Sequence, residues 1–100
     1  MTWFVYLIEC TDSSIYTGIA VDVAARFAAH VQGKGARYTR SHPPARLLAA
    51  FAVPDRSAAL TAEYRIRQLS TTAKRALCRT GDLAGVLAQA EKSRRQHNAT

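Results

Sequence analysis

The run Trp3-Phe4-Val5-Tyr6-Leu7-Ile8 constrains this chain more than any other stretch. It is apolar and aromatic with no alternation, the pattern of a strand covered on both faces, so a helix is expected on each side of it. A chain of 100 residues has room for one domain and one core. Thr11-Asp12-Ser13-Ser14 follows with short side chains that bond their own backbone, and Ile15 to Ala20 resumes the strand pattern. The two runs therefore form a hairpin, with Tyr6 and Tyr16 on neighbouring strands. Register decides whether the two tyrosines share a face.

Asp22 is a candidate N-cap for a helix reaching about Val31, with Val23, Phe27 and Val31 at spacing four and Ala24 and Ala28 beside them as the buried stripe. Arg26 and His30 are also four apart and share a flank. Spacing alone favours two solvated side chains there. Gln32 to Arg46 reads as a loop: Gly33 and Gly35 end the helix and Pro43-Pro44 block regular structure. That loop carries Lys34, Arg37, Arg40, His42 and Arg46 with Tyr38 among them, which suits either a phosphate grip or an ordinary solvated segment.

Leu47 to Val53 is the third strand, between Pro44 and Pro54. Asp55 or Ser57 caps a helix to about Ser70 whose stripe is Ala59, Ala62, Ile66 and Leu69. Glu63 falls inside that stripe. An unpaired carboxylate is costly to bury, so it either reaches water at the stripe's edge or holds a cation or an arginine. Thr71 or Thr72 starts a short helix through Cys78 that carries Lys74, Arg75 and Arg79 and is closed by Gly81. Asp82 caps a last helix with Leu83, Val86, Leu87 and Ala90, and from Ser93 a basic tail is expected to fray. The sum is an α+β fold: a small, mainly antiparallel three-stranded sheet flanked by helices, one domain over residues 1–92.

Lys and Arg number 14 against 7 Asp and Glu, and 11 of the 14 are Arg, whose planar fork matches phosphate. A polyanionic partner and a merely soluble basic surface fit that balance equally well. Cys10 and Cys78 have no zinc-type spacing, which leaves free thiols in a reducing compartment. With no basic leader and no apolar stretch of spanning length, the expectation is a cytoplasmic protein without a membrane partner.

In order and spacing these residues resemble the GIY-YIG nuclease family, in particular its small single-domain bacterial members. Val5-Tyr6-Leu7 stands at the first tripeptide and Tyr16-Thr17-Gly18 at the second, about ten residues on. Arg26 matches the family's helix arginine, His30 the histidine one turn later, and Glu63 the metal-binding glutamate of the next long helix. Residues Gly33 to Arg40 are similar to the loop of the small members. Departures are Val5 and Leu7 for glycine and isoleucine, Thr17 for isoleucine, Ile19 where some active members carry lysine, Val31 for a frequent asparagine, and bases near Lys74 and Arg75 for a downstream asparagine.

The resemblance implies hydrolysis of DNA phosphodiesters by an endonuclease that is structure-selective or weakly specific, with one divalent cation, Mg²⁺ or Mn²⁺, on Glu63. It assigns Arg26 to the phosphoryl oxygens, Tyr6 to the attacking water with help from His30, and Tyr16 to the water or the phosphate. Lys34, Arg37, Tyr38, Arg40, Arg46, Lys74 and Arg75 are the implied nucleic-acid contacts of a monomer acting on DNA, including branched or damaged DNA. A nucleic-acid-binding module with little turnover and a protein-interaction adaptor are the alternatives on the same fold.

Overall fold

The computed structural model of the protein describes residues 1–88. In chain order it contains β1 (Trp3–Cys10), β2 (Ile15–Ala20), α1 (Val23–Val31), α2 (Arg37–Ser41), β3 (Pro44–Val53), α3 (Arg56–Arg67) and α4 (Thr71–Thr80). Residues 83–88 form a further helical stretch, with the Asp82 carboxylate accepting from the backbone of Gly85 at 2.9 Å. Ala90, the expected boundary at residue 92 and the basic tail lie outside the described residues.

The sheet is three-stranded and antiparallel, in the order β2-β1-β3. The unbroken apolar run is thus the middle strand, which explains why neither of its faces alternates with polar residues. Val5 and Leu7 point to one side and pack with Ala62 and Ile66 of α3, Leu77 of α4, Ile15, and the partly buried Leu83, Val86 and Leu87. Tyr6, Ile8 and Cys10 point to the other and pack with Ala20, Val23 and Phe27 under α1. One face of the sheet is aliphatic, while the other has a phenol at its centre.

Local signals set most of the boundaries. Asp12 Oδ1 accepts from the backbone and hydroxyl of Ser14, at 3.1 and 2.6 Å, and Ser13 adopts a positive φ of 69°, closing the hairpin. Asp22, Asp55 and Ser70 each accept a hydrogen bond from the third residue beyond, as N-caps of α1, α3 and α4. Gly81 ends α4 in the left-handed region, φ 71°.

Two sequence expectations are corrected. Gln32 to Arg46 is not one loop: residues 37–41 form α2, and β3 begins at Pro44 rather than at Leu47, Pro44 pairing with Cys10. Pro44 opens an edge strand, the place in a sheet where a missing N–H is tolerated. The stripe of α1 is also rotated from the expected one. Val31 is 58% exposed and His30 1%. The imidazole goes inside because hydrogen-bond partners wait for it there, which an apolar-periodicity argument does not register.

Candidate active site at the edge of the sheet

In the hairpin register Tyr6 faces Gly18 and Ile8 faces Tyr16, so the two tyrosines lie diagonally on one face, ring centroids 6.3 Å apart. Gly18 is required by that contact. A Cβ there would sit 2.5 Å from the Tyr6 hydroxyl oxygen, so only glycine lets the phenol lie across β2. His30 comes down from α1 onto both rings, with centroids 6.0 Å from Tyr6 and 5.1 Å from Tyr16, and its Nε2 is 2.9 Å from the Tyr6 hydroxyl.

The other imidazole nitrogen, Nδ1, is 2.7 Å from Thr39 Oγ1 in α2, and the Thr39 hydroxyl donates to the carbonyl of Ala36 at 2.9 Å. Tyr6, His30 and Thr39 are all buried. Gly35 packs against the ring face so closely that any Cβ would collide with Nδ1. Thr39 and Gly35 were not legible as site residues. Their signals are the short Gly33-Lys34-Gly35 segment, which reads as a helix stop, and the likeness of residues Gly33 to Arg40 to the loop of the small family members, which assigns neither a role.

Charge gathers on this cluster from two helices. The Arg26 guanidinium acts on the Tyr6 hydroxyl from α1. Glu63 and Arg67 come from α3, where β2 leaves the sheet's edge open. Arg67 Nη2 donates to the carbonyl of Thr17 at 3.2 Å and to Glu63 Oε2 at 3.4 Å. Glu63 is within electrostatic reach of both phenols, raising each, and Arg67 pulls Tyr16 the other way. Arg67 is thus a further residue of the cluster. Spacing four after Glu63 could have flagged it, although such pairs are common on solvated helix faces.

Burial, and then the neighbouring Tyr16, pushes Tyr6 up to about 12, against the pull of Arg26. Burial likewise raises Tyr16. His30 is lowered, by burial first and by Arg26 second. At neutral pH the pair is consequently a phenol beside a neutral imidazole.

Of the five expected site residues, Tyr6, Tyr16 and His30 are in contact, while Arg26 and Glu63 lie within electrostatic reach of both phenols. Among the expected nucleic-acid contacts, Tyr38 belongs to the same region: its ring stacks on Tyr16 at 5.8 Å and on His42 at 4.2 Å. Asp12 fixes His42 through a 2.5 Å contact, and with Ser14 and His42 on it Asp12 is held down to about 2. Lys34, Arg37 and Arg40 flank Tyr38, exposed and with no ion pair among the described residues. Lys74 is half-buried and lowered by burial and by the nearby Arg67.

Arg46 and Arg75 are placed elsewhere. Arg46 Nε donates to Glu9 Oε1 at 2.9 Å and Arg75 Nη1 to Glu9 Oε2 at 2.5 Å, while Arg75 Nη2 holds the carbonyl of Ser13 at 2.9 Å. Glu9 follows Val5 and Leu7 in the β1 alternation, so this cluster lies on the aliphatic side of the sheet, beside α4. Arg46 and Arg75, expected as nucleic-acid contacts, therefore sit on the other side of the sheet from the tyrosines, where their guanidiniums fasten α4 and β3 to the end of β1.

No group of three or more acidic, histidine or cysteine side chains among the described residues could hold a metal ion. The donor set beside the phenols is one carboxylate, Glu63, whose Oε1 has no protein donor among the described residues. That fits a hard cation such as Mg²⁺, which keeps several waters and accepts one or two carboxylates. It does not fit zinc, which needs a fuller shell of protein ligands.

A domain model described as the GIY-YIG catalytic domain matches residues 2–76. The chain belongs to the GIY-YIG family, a nuclease family. Within it the chain is similar to proteins of the UPF0213 group. It is 57% identical over 76 residues to a UPF0213 protein of Cupriavidus necator, covering 76% of this chain and 83% of that one. A UPF0213 protein of Cronobacter sakazakii is 49% identical over 82 residues, covering 82% and 85%. The solution NMR structure of a UPF0213 protein from Bacillus halodurans is 44% identical and covers 77% of this chain and 82% of that one, with a TM-score of 0.49.

Proposed function

We propose that the protein is a metal-dependent DNA endonuclease that hydrolyses phosphodiester bonds at the cluster of Tyr6, Tyr16, Arg26, His30 and Glu63. The observation that carries this reading is the Tyr6–His30 hydrogen bond of 2.9 Å, with the Arg26 guanidinium and the Glu63 carboxylate within electrostatic reach of the same phenol. A water attacking phosphorus gives a proton to the Tyr6 oxygen while the Tyr6 proton passes to His30 Nε2. The new oxygen–phosphorus bond forms as the bond to the leaving oxygen breaks, and that oxygen takes its proton from solvent. A phenol held near 12 is a poor base by itself; coupled to a neutral imidazole it needs never exist as a free phenolate.

Arg26 neutralises the charge that grows on the phosphoryl oxygens, a role suited to a fork-shaped cation. Tyr16 orients the water or the phosphate. Glu63 would hold a divalent cation, Mg²⁺ or Mn²⁺, which supplies charge neutralisation at the phosphate when bound. Oε1 is the oxygen open to it, since Arg67 lies on Oε2 at 3.4 Å. Lys34, Arg37, Arg40 and Lys74 follow the phosphate backbone, with Tyr38 beside them. The enzyme acts as a monomer on DNA in a reducing, cytoplasmic setting, consistent with the two free cysteines.

One observation favours a second reading, a binding module that turns over poorly: a cation of the protein's own, Arg67, already sits on Glu63. Plasmid nicking in Mg²⁺ or Mn²⁺ separates the two. Nicking by the wild type that falls about 10²- to 10³-fold in both Arg26→Ala and Glu63→Gln supports the enzyme. Salt-sensitive binding without cleavage under either metal supports the module and sinks the hydrolase.

A further inference from the structure

The buried chain Tyr6–His30–Thr39–Ala36 can be solved for its protons, because the hydroxyl of Thr39 has one hydrogen and two claimants. Thr39 Oγ1 is 2.9 Å from the Ala36 carbonyl and 2.7 Å from His30 Nδ1. A carbonyl only accepts, so a 2.9 Å approach between the two oxygens is tolerable only if the Thr39 hydrogen lies between them. The threonine oxygen must then accept from Nδ1–H. In a neutral imidazole that leaves Nε2 bare, 2.9 Å from the Tyr6 hydroxyl, which donates to it.

The opposite tautomer requires Thr39 to donate to Nδ1, leaving two oxygen lone pairs facing each other at 2.9 Å in a site where Thr39 is 2% exposed. It would also require Nε2–H to donate to the phenol, stranding the Tyr6 proton. Its one attraction is the backbone N–H of Ala36, which approaches Nδ1 at 3.4 Å. That is a longer and weaker contact than the 2.9 Å bond from the Thr39 hydroxyl to the Ala36 carbonyl, which the opposite tautomer gives up.

We infer that Thr39 is a positioning residue: by accepting from Nδ1–H it fixes His30 in the tautomer whose Nε2 takes the Tyr6 proton. The segment from Gly35 to Thr39 is therefore part of the site rather than a connector to β3. Gly35 admits the ring and Thr39 sets its protonation pattern. As a role in hydrolysis this rests on the function proposed above. As a statement about an imidazole it stands alone, and the two can fail separately.

Two-bond ¹H–¹⁵N correlation spectra of the full chain labelled with ¹⁵N-histidine read the tautomer directly, without any substrate. At a pH where His30 is neutral, Nδ1 is expected as the protonated nitrogen and Nε2 as the bare one. The opposite assignment in the wild type overturns the inference, whatever the nicking assay shows. Thr39→Ser, which keeps the hydroxyl, is expected to retain the pattern and the nicking rate. Thr39→Val, which removes it at nearly the same volume, is expected to lose the single tautomer and to slow nicking about 10- to 100-fold, the usual effect of deleting an outer hydrogen bond to a functional histidine. An unchanged His30 spectrum in folded Thr39→Val also overturns it, and if that variant does not fold, the wild-type and serine spectra decide.

Discussion

The two faces of the sheet are built from the same strand and by opposite rules. On the α3 and α4 side, Val5, Leu7, Ala62, Ile66 and Leu77 are nearly or fully buried and offer nothing to hydrogen-bond. Burial of apolar area holds that side together. On the α1 side the largest buried groups include Tyr6 and His30, whose polar atoms bond chiefly to one another and to Thr39. Neutral hydrogen bonds of this kind contribute little net stability, since each replaces one made to water, but they fix geometry tightly. Under the proposed function, stability and chemistry are thereby divided between the two faces, with Glu63 and Arg67 of α3 reaching round to the phenols as the exception. Substitutions on the first face should cost folding with little change in specific activity, while those on the second should do the reverse.

The largest effect should come from the aliphatic face. Ile66 is 0% exposed at the middle of its cluster, so Ile66→Ala removes buried methylenes and leaves a cavity worth about 2–5 kcal/mol. Urea denaturation is expected to show that loss, with nicking per folded molecule unchanged. Equal losses in both would break the division. Next is Gly18→Ala, where the added methyl must push the Tyr6 hydroxyl from its place. A displacement of about 1 Å at a reacting group can cost about 10²-fold in rate. Nicking should fall by that order while the denaturation midpoint moves less than for Ile66→Ala.

The aliphatic face was legible in the sequence and the polar one only in part, for a physical reason. A strand buried on both sides must be apolar throughout, and Trp3 to Ile8 is; helix stripes and caps obey equally local rules, so Asp22, Asp55 and Gly81 mark the ends of their helices. The buried imidazole obeys a pairing rule instead. His30 can be inside only because Thr39, nine residues on, and Tyr6, 24 residues back, complete it, and no periodicity reports such partners. Arg67 was missed because an arginine four after a glutamate looks like surface charge until the carbonyl of Thr17 is seen beneath it. The engagement of Arg46 and Arg75 with Glu9 was not legible either, because charge density says nothing about which face of a sheet a base occupies.

The smallest effect tests that last point. If Arg46 gripped nucleic acid, Arg46→Ala would flatten the salt dependence of DNA binding by about one phosphate contact. As a partner of Glu9 it should leave the salt slope intact and lower stability slightly, because exposed ion pairs are weak. The pH dependence makes the assignment sharper. Arg75 first and Arg46 second hold Glu9 below its ordinary value of 4.5. A carboxyl lowered in the folded state contributes stability that is present above its unfolded value and is lost as pH falls through the folded one. The wild type should therefore begin to lose its small advantage over Arg46→Ala as pH falls below about 4.5, and once folded Glu9, held below that value, takes up its proton the two proteins should denature together. A gap that persists undiminished well into acid would mean that Arg46 stabilises the fold by packing its stem on β3 rather than through Glu9.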